Sequence, residues 1–429
     1  MTAPQWRPTP AMTMALGLTA AVLAAGLAAG SPGIAAFAVP FALGLALNLS
    51  RRPRRVPEAT VAVDDTAVEE GRSSSFRVEV ANTGDAPVTA VLSAAHSPWL
   101  SLEGPRPSTA LAVGPGEKAA LHYPVSVLRW GSHAAGPLDA QYFACGGMLS
   151  TPVVQSPAAQ VRALPAPTWF DTSTPVPLAQ GVVGVHHSRR HGEGGELAEI
   201  RQFQFGDRLR RIDWRSSLRH GDLHVAQTLA EKDAHVSLIL DAQTEAGASE
   251  GHGSTESLLD RTVRSGVSIG AHYLSLGDRL EAFLIGSIVD HIPPATGRRQ
   301  LLRLRHSLAA VGSVPGDNAA PLTIVERSID TRRRLYIIVT PLMNRSFAGL
   351  ITRLVRHGHP VVCVDTLPED VRPPQRSQWT PLAWRLWNLD RDNLIARLGG
   401  IGVPVVPWRG PGSIDAALRA VGAAGRRRA

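Results

Sequence analysis

Residues 195 to 241 read GELAEIRQFQFGDRLRRIDWRSSLRHGDLHVAQTLAEKDAHVSLILD. Arginines Arg201, Arg208, Arg210, Arg211, Arg215 and Arg219 stand there among the carboxylates Glu196, Glu199, Asp207, Asp213 and Asp222. The pairs Gly206-Asp207 and Gly221-Asp222 mark turns, because glycine tolerates positive φ and aspartate bonds its own backbone. Between them, residues 208 to 220 predict a short helix with Gly221 as its stop. Arg211 would share one face of that helix with Asp207 and Arg215, each four residues away. The closing HVSLILD is apolar up to Asp241, the pattern of a buried parallel strand that delivers one charge to the edge of a sheet.

Downstream the chain alternates strands and helices. LEAFLIG and residues 288 to 292 read as a hairpin, and LYIIVT, VVCVD and VPVVPW read as further buried strands. Helices are expected over 257–276, 298–311, 347–357, 382–398 and 413–421. In the first of these Leu259, Val263, Val267, Gly270 and Leu274 form one apolar stripe. Such alternation predicts a doubly wound, mostly parallel α/β sheet.

Upstream, residues 56–165 show period-two alternation, with Phe76, Val78 and Val80 on one face and turns such as Asn82-Thr83-Gly84-Asp85. They predict a small β-sandwich. Residues 166–195 read as a linker rich in proline, histidine and glycine. Its His186, His187 and His191 lack the cysteine or carboxylate partners of a metal site. Residues 1–55 hold two apolar spans, about 11–29 and 33–49, that predict a transmembrane α-hairpin. Arg51, Arg52, Arg54 and Arg55 follow the second span, and Arg7 precedes the first. By the positive-inside rule both flanks, and the soluble domains, face the cytoplasm. A cleaved signal peptide at the first span would leave the second span in the same orientation.

The order Glu199, Arg201, Phe203, Gly206-Asp207, Arg211, Ile212-Asp213-Trp214, Ser216-Ser217, Arg219, Gly221 and Asp241 resembles the domain of unknown function family 58. The family's tyrosine is Phe203 here, and its alanine before the late arginine is Leu218. Arg129-Trp130-Gly131 resembles the segment ahead of its central domain, and reads as a spacer. The family's Asp-Pro-Phe-Gly after it is replaced by Phe143-Ala144-Cys145-Gly146-Gly147. The resemblance implies a cell-membrane, multi-pass protein whose α/β domain (196–429) is von Willebrand A-like and Rossmann-type. It also implies pairing with a MoxR-type AAA+ ATPase. It carries no reaction.

A magnesium-binding domain of that kind uses Asp-x-Ser-x-Ser, a loop threonine and a later aspartate as oxygen ligands. Here the first segment is Asp241-Ala242-Gln243-Thr244-Glu245, the threonine would be Thr296, and LYIIVT ends without an aspartate. That set is degenerate, and no cofactor is expected. No Ser-His-Asp set, phosphate-cradling glycine loop or HExxH motif is present, so no catalytic residue is named.

The motif residues Arg201, Gly206, Asp207, Arg211, Asp213, Trp214, Arg219 and Gly221 have two readings: a charged clamp with Trp214 buried beside it, or a partner-docking surface. Trp379, Trp384 and Trp387 read either as core or as membrane-facing. The net charge of +8 is almost wholly arginine, without the interleaved aromatics of a nucleic-acid surface. Cys145 and Cys363 give neither metal spacing nor a disulfide framework.

The function expected is a membrane-anchored cytoplasmic interaction module working with a MoxR-type ATPase in assembly or maturation of a complex. The alternatives are a hydrolase using Asp241, Asp365 and the arginines on a phosphorylated or acidic substrate, and a metal-dependent adhesion-type binder.

Overall fold

The computed structural model describes residues 5–102, 108–168, 188–204, 212–230, 235–247, 256–313, 322–329, 334–368, 371 and 377–410. Two compact units meet in sequence at Leu164 and Pro165.

The first unit opens with β1 (Arg7–Pro8), α1 (Pro10–Ala28), α2 (Pro32–Ala36) and α3 (Ala38–Ser50). Thr9 caps α1 and also donates through Oγ to the Gly147 carbonyl at 2.7 Å. The helical stretches Pro10–Ala28 and Pro32–Ser50, 19 residues each, are long and apolar enough to cross a membrane. Most of their large side chains point outward, Leu27 and Phe37 being 73% and 72% exposed, while Leu45 is buried. The turn between them is tight: a Cβ on Gly26 would lie 2.5 Å from the Ala35 amide nitrogen.

Strands follow as β2 (Glu58–Val63), β3 (Ala67–Glu69), β4 (Ser73–Ala81), β5 (Val88–His96), β6 (Leu100–Leu102), β7 (Ser108–Val113) and β8 (Lys118–Val127). The unit ends with β9 (Gly131–Ala144), β10 (Leu149–Ser150), β11 (Val154–Ser156) and β12 (Ala159–Leu164). One sheet is β2-β4-β8-β6, and the other is built around β9. Alternate residues of both sheets meet in one core, Val78 and Val80 from the first against Ala90, Leu92, Leu138, Ala140 and Tyr142 from the second. Strand β1 pairs antiparallel with β10, so the hairpin and the sheets, expected as separate segments 1–55 and 56–165, form one unit. The Arg129-Trp130 segment is more than a spacer: Trp130 is buried, and Arg129 stacks its guanidinium on Trp99 and Trp130 at 4.9 and 5.4 Å.

The second unit begins with β13 (Ser188–Gln202), α4 (Trp214–His220) and β14 (His224–Ala230). β13 and β14 form an antiparallel ribbon whose register shifts at several points. Strand β13 thus takes in the end of the expected linker 166–195, and residues 169–187 of that linker lie outside the described residues. The central sheet and its helices are β15 (His235–Asp241), α5 (Leu258–Ser275), β16 (Arg279–Ile285), β17 (Val289–Ala295), α6 (Gly297–Ala310) and α7 (Leu322–Arg327). They continue as β18 (Leu335–Thr340), α8 (Arg345–Arg356), β19 (Val361–Asp365), α9 (Thr380–Gly400) and β20 (Val405–Pro407). The helix expected over 413–421 lies outside the described residues.

The sheet order is β17-β16-β15-β18-β19-β20, parallel except for β17. Both faces of the strands are apolar because both are covered. Leu240 of β15 meets α5 so closely that a Cβ on Gly266 would stand 2.1 Å from its Cδ2. Facing the other way, Ile239, Phe283, Tyr336, Ile338 and Cys363 pack under Leu322 of α7, Phe347, Leu350 and Leu354 of α8 and Leu398 of α9. Cys363 is the buried thiol expected of VVCVD. Because Phe347 is fully buried in this second layer, Phe347→Ala should cost about 3–5 kcal/mol in guanidinium unfolding of the detergent-solubilised protein.

Candidate functional site

Ligands of doubly wound sheets sit outside the carboxyl ends of the strands, where the order reverses. The reversal here lies between β15 and β18, whose last residues are Asp241 and Thr340. Asp241 is 1% exposed, so its carboxylate must be satisfied from within the protein. Thr340 Oγ1 donates to Asp241 Oδ2 at 2.7 Å, and the Gln243 amide approaches Oδ1 at 3.4 Å. Thr340 Oγ1 in turn accepts from the Leu342 amide at 3.1 Å, fixing the turn after β18. Asn344 donates to Gln243 Oε1 at 2.7 Å while its own Oδ1 caps α8 by accepting from the Ser346 amide at 2.7 Å. The loops after β15 and β18 are thereby tied together over the carboxylate.

The next strand ends alike. Asp365 is buried, paired with Arg391 of α9, and accepts from the Leu367 amide at 3.1 Å. Burial pushes its carboxyl above the usual range, against the pull of Arg391. Beside it, Thr366 and Thr262 share a hydrogen bond of 3.0 Å that joins the edge to α5. Asp241 and Asp365, the carboxylates of the hydrolase reading, do share one edge, each held by a neighbour rather than presented to solvent.

A magnesium site needs about six oxygens in near-octahedral array, and the expected donors do not converge. Asp241 pairs in register with Ile285, at the carboxyl end of β16. Thr296 directly follows Ala295, which pairs with Leu280 near the start of β16. Five residues of strand, roughly 17 Å, therefore separate Asp241 from Thr296. The antiparallel direction of β17 places Thr296 on the wrong edge. Glu245, the remaining acidic candidate, accepts from the Leu259 amide in the first turn of α5 at 3.5 Å. Among the described residues no group of three or more His, Cys, Asp or Glu side chains is placed to hold a metal.

The family motif builds a different feature. Asp213 is the N-cap of α4, its side chain accepting from the Ser216 amide at 2.9 Å. Helix α4 therefore starts at Trp214, and residues 208–211 of the expected helix lie outside the described residues. Ser217 faces inward, taking the His224 amide on its Oγ at 2.8 Å and donating to the Asp213 carbonyl at 2.7 Å. Gly221, at φ 80°, ends the helix in the left-handed conformation that glycine accepts without strain. Ile212 is buried and bridges Val225. Arg201, on β13 beside Val225, donates to the Gln202 carbonyl at 2.9 Å. Gly206, Asp207 and Arg211 lie outside the described residues.

Trp214 is not buried as the clamp reading requires: it is 63% exposed, and Leu218 is 85% exposed. Capping by Asp213 puts Trp214 in the first turn of α4. Trp214 and Leu218 stand four apart and share an outward face, as do the exposed Arg215 and Arg219 beside them. Sequence reasoning missed Gln243, Asn344, Thr262 and Arg391, whose partners lie 26 to 104 residues away. Only Asn344 left a local signal, a cap residue just ahead of a helix.

This division makes the motif separable by stability. Asp213→Ala should cost about 0.5–2 kcal/mol through the lost cap. Trp214→Ala should stay within about 0.5 kcal/mol of wild type in the same unfolding experiment, as for a surface side chain.

Comparison with known proteins supplies relatives rather than an activity. An uncharacterized protein of Mycobacterium bovis and one of Mycobacterium tuberculosis are each 27% identical over 197 residues, 44% of this chain and 61% of the relative. The chain thus spans about three fifths of the length of the curated relatives it matches. A Salmonella alpha-2-macroglobulin structure is 24% identical at a TM-score of 0.21, covering 27% of this chain and 7% of its own. A FixG-related protein from Vibrio parahaemolyticus is 14% identical at a TM-score of 0.18, covering 25% and 95%. Residues 199–375, from the end of β13 past β19, match the family model "Protein of unknown function DUF58".

Proposed function

We propose that this chain is a membrane-anchored interaction module, whose α/β domain is a von Willebrand A-like scaffold and whose α4 face docks a protein partner. The single observation that carries the reading is the exposure of Trp214 and Leu218 on a helix that Asp213, Ser217 and Gly221 hold in place. Exposed Trp and Arg side by side have the composition of an interface hot spot. The sheet order with its one antiparallel edge strand supports the von Willebrand A-like assignment. The partner class, a MoxR-type AAA+ ATPase acting in assembly or maturation of a complex, comes from the family resemblance.

Pairing of β1 with β10 supports a hairpin anchor. Residues on either side of the two apolar helices join one sheet, which favours both flanks lying on one face of the bilayer. The arginines at 51, 52, 54 and 55 favour the cytoplasmic face.

The test uses full-length protein in detergent, immobilised and titrated with a purified MoxR-type ATPase from the same cell. Trp214→Ala/Leu218→Ala should weaken binding by about 2 kcal/mol or more, roughly thirtyfold in Kd, with the unfolding midpoint unchanged. Unaltered binding by that double variant would remove α4 as the docking face.

A further inference from the structure

Helix α9 is built in two halves. In the second, Leu394, Ile395 and Leu398 pack into the core under β18 and β19. In the first, the apolar side chains face outward: Trp379 just before the helix, then Leu382, Leu386 and Leu389, the last 60% exposed. Their spacing of three, four and three residues puts them on one stripe. Trp384 and Trp387 stack on each other at 4.7 Å between ring centroids, partly buried behind the stripe. Exposed Arg385 and Asp392 flank it, and Asp390 is paired with Arg345 at 2.6 Å.

A water-facing stripe of one Trp and three Leu would cost several kcal/mol of unburied apolar area, at about 25 cal/mol per Å2, if nothing covered it. The stripe runs only from 379 to 389, about a heptad and a half, whereas a helix pairing as a coiled coil needs about three heptads or more. Length therefore disfavours a second copy. A lipid surface needs no matching length. Leucines flanked by tryptophans suit the headgroup boundary, where Trp is enriched. The chain also carries its own tether: two apolar helices would hold this unit at an effective concentration on the order of millimolar beside the bilayer.

We infer that the outward stripe of α9, Trp379, Leu382, Leu386 and Leu389, is a second membrane contact that lies in the headgroup layer of the bilayer. This rests on the membrane-anchored reading above. Of the two readings of the tryptophan cluster it takes the membrane-facing one for Trp379, and it makes the unit's contact with lipid independent of the hairpin.

The test is depth-sensitive quenching on full-length protein in nanodiscs of phosphatidylcholine and phosphatidylglycerol. Cys145 and Cys363 are buried, so a cysteine placed at Leu386 can be labelled selectively with a small fluorophore. Leu302, exposed on α6, gives the control site, and Leu382→Cys is a second probe should the first variant fold poorly. Lipid carrying a headgroup-level nitroxide should extinguish most of the fluorescence at 386 or 382 and little at 302. Equal, weak quenching at all sites in protein that stays with the disc overturns the contact and leaves the anchor standing. A label at 386 shielded from both the lipid nitroxide and aqueous iodide also overturns it, pointing to a protein cover. Protein that elutes apart from the disc overturns the contact together with the anchor.

Discussion

A buried carboxylate at the tip of the first central strand constrains the second unit. Asp241 has almost no access to water, so the turn after β18 must bring Thr340 and its loop over it. Leaving such a group unpaired costs several kcal/mol, more than most single packing contacts return. The positive φ of Leu342, at 55°, is held where the Thr340 hydroxyl accepts its amide. Gln243 and Asn344 complete the closure and set the start of α8. Among the described residues, the carboxylate at this edge is thereby satisfied by the protein's own donors.

Among the described residues, exposed apolar side chains stand elsewhere in this unit. The family motif spends Asp213, Ser217 and Gly221 on holding a seven-residue helix, and leaves Trp214, Leu218, Arg215 and Arg219 outside. Helix α9 likewise spends one half on the core and leaves the other half apolar and exposed. Both follow one rule: a short amphipathic element anchored by caps or by half its length can present greasy side chains without losing the fold. Its exposed residues then report on association rather than on stability.

The strands were legible because a strand covered on both faces reads as an unbroken apolar run, as in HVSLILD, LYIIVT and VVCVD. Two apolar segments near the start were legible for the same reason, since each is long and almost uniform. The placement of Thr296 was not. A threonine after a strand looks the same whether that strand is parallel or antiparallel, and only the register of β17 on β16 sends it to the far edge. The side of the chain that Trp214 faces was also hidden, because a tryptophan among charges suits a clamp and a docking face equally. The exposure of Trp214 on α4 decides it. Partners such as Thr262 with Thr366 and Arg391 with Asp365 join distant segments, which no local pattern can encode.

Closure of the carboxyl edge is the central claim, and magnesium-dependent melting of the full-length protein tests it most directly. If Thr340, Gln243 and the loop amides already satisfy Asp241, the melting temperature is the same with chelator and with millimolar magnesium. An ion present at one hundred times its dissociation constant would add about 2.7 kcal/mol to stability. A shift of that size, lost in Asp241→Ala, would contradict the account by showing that the edge opens to hold a metal.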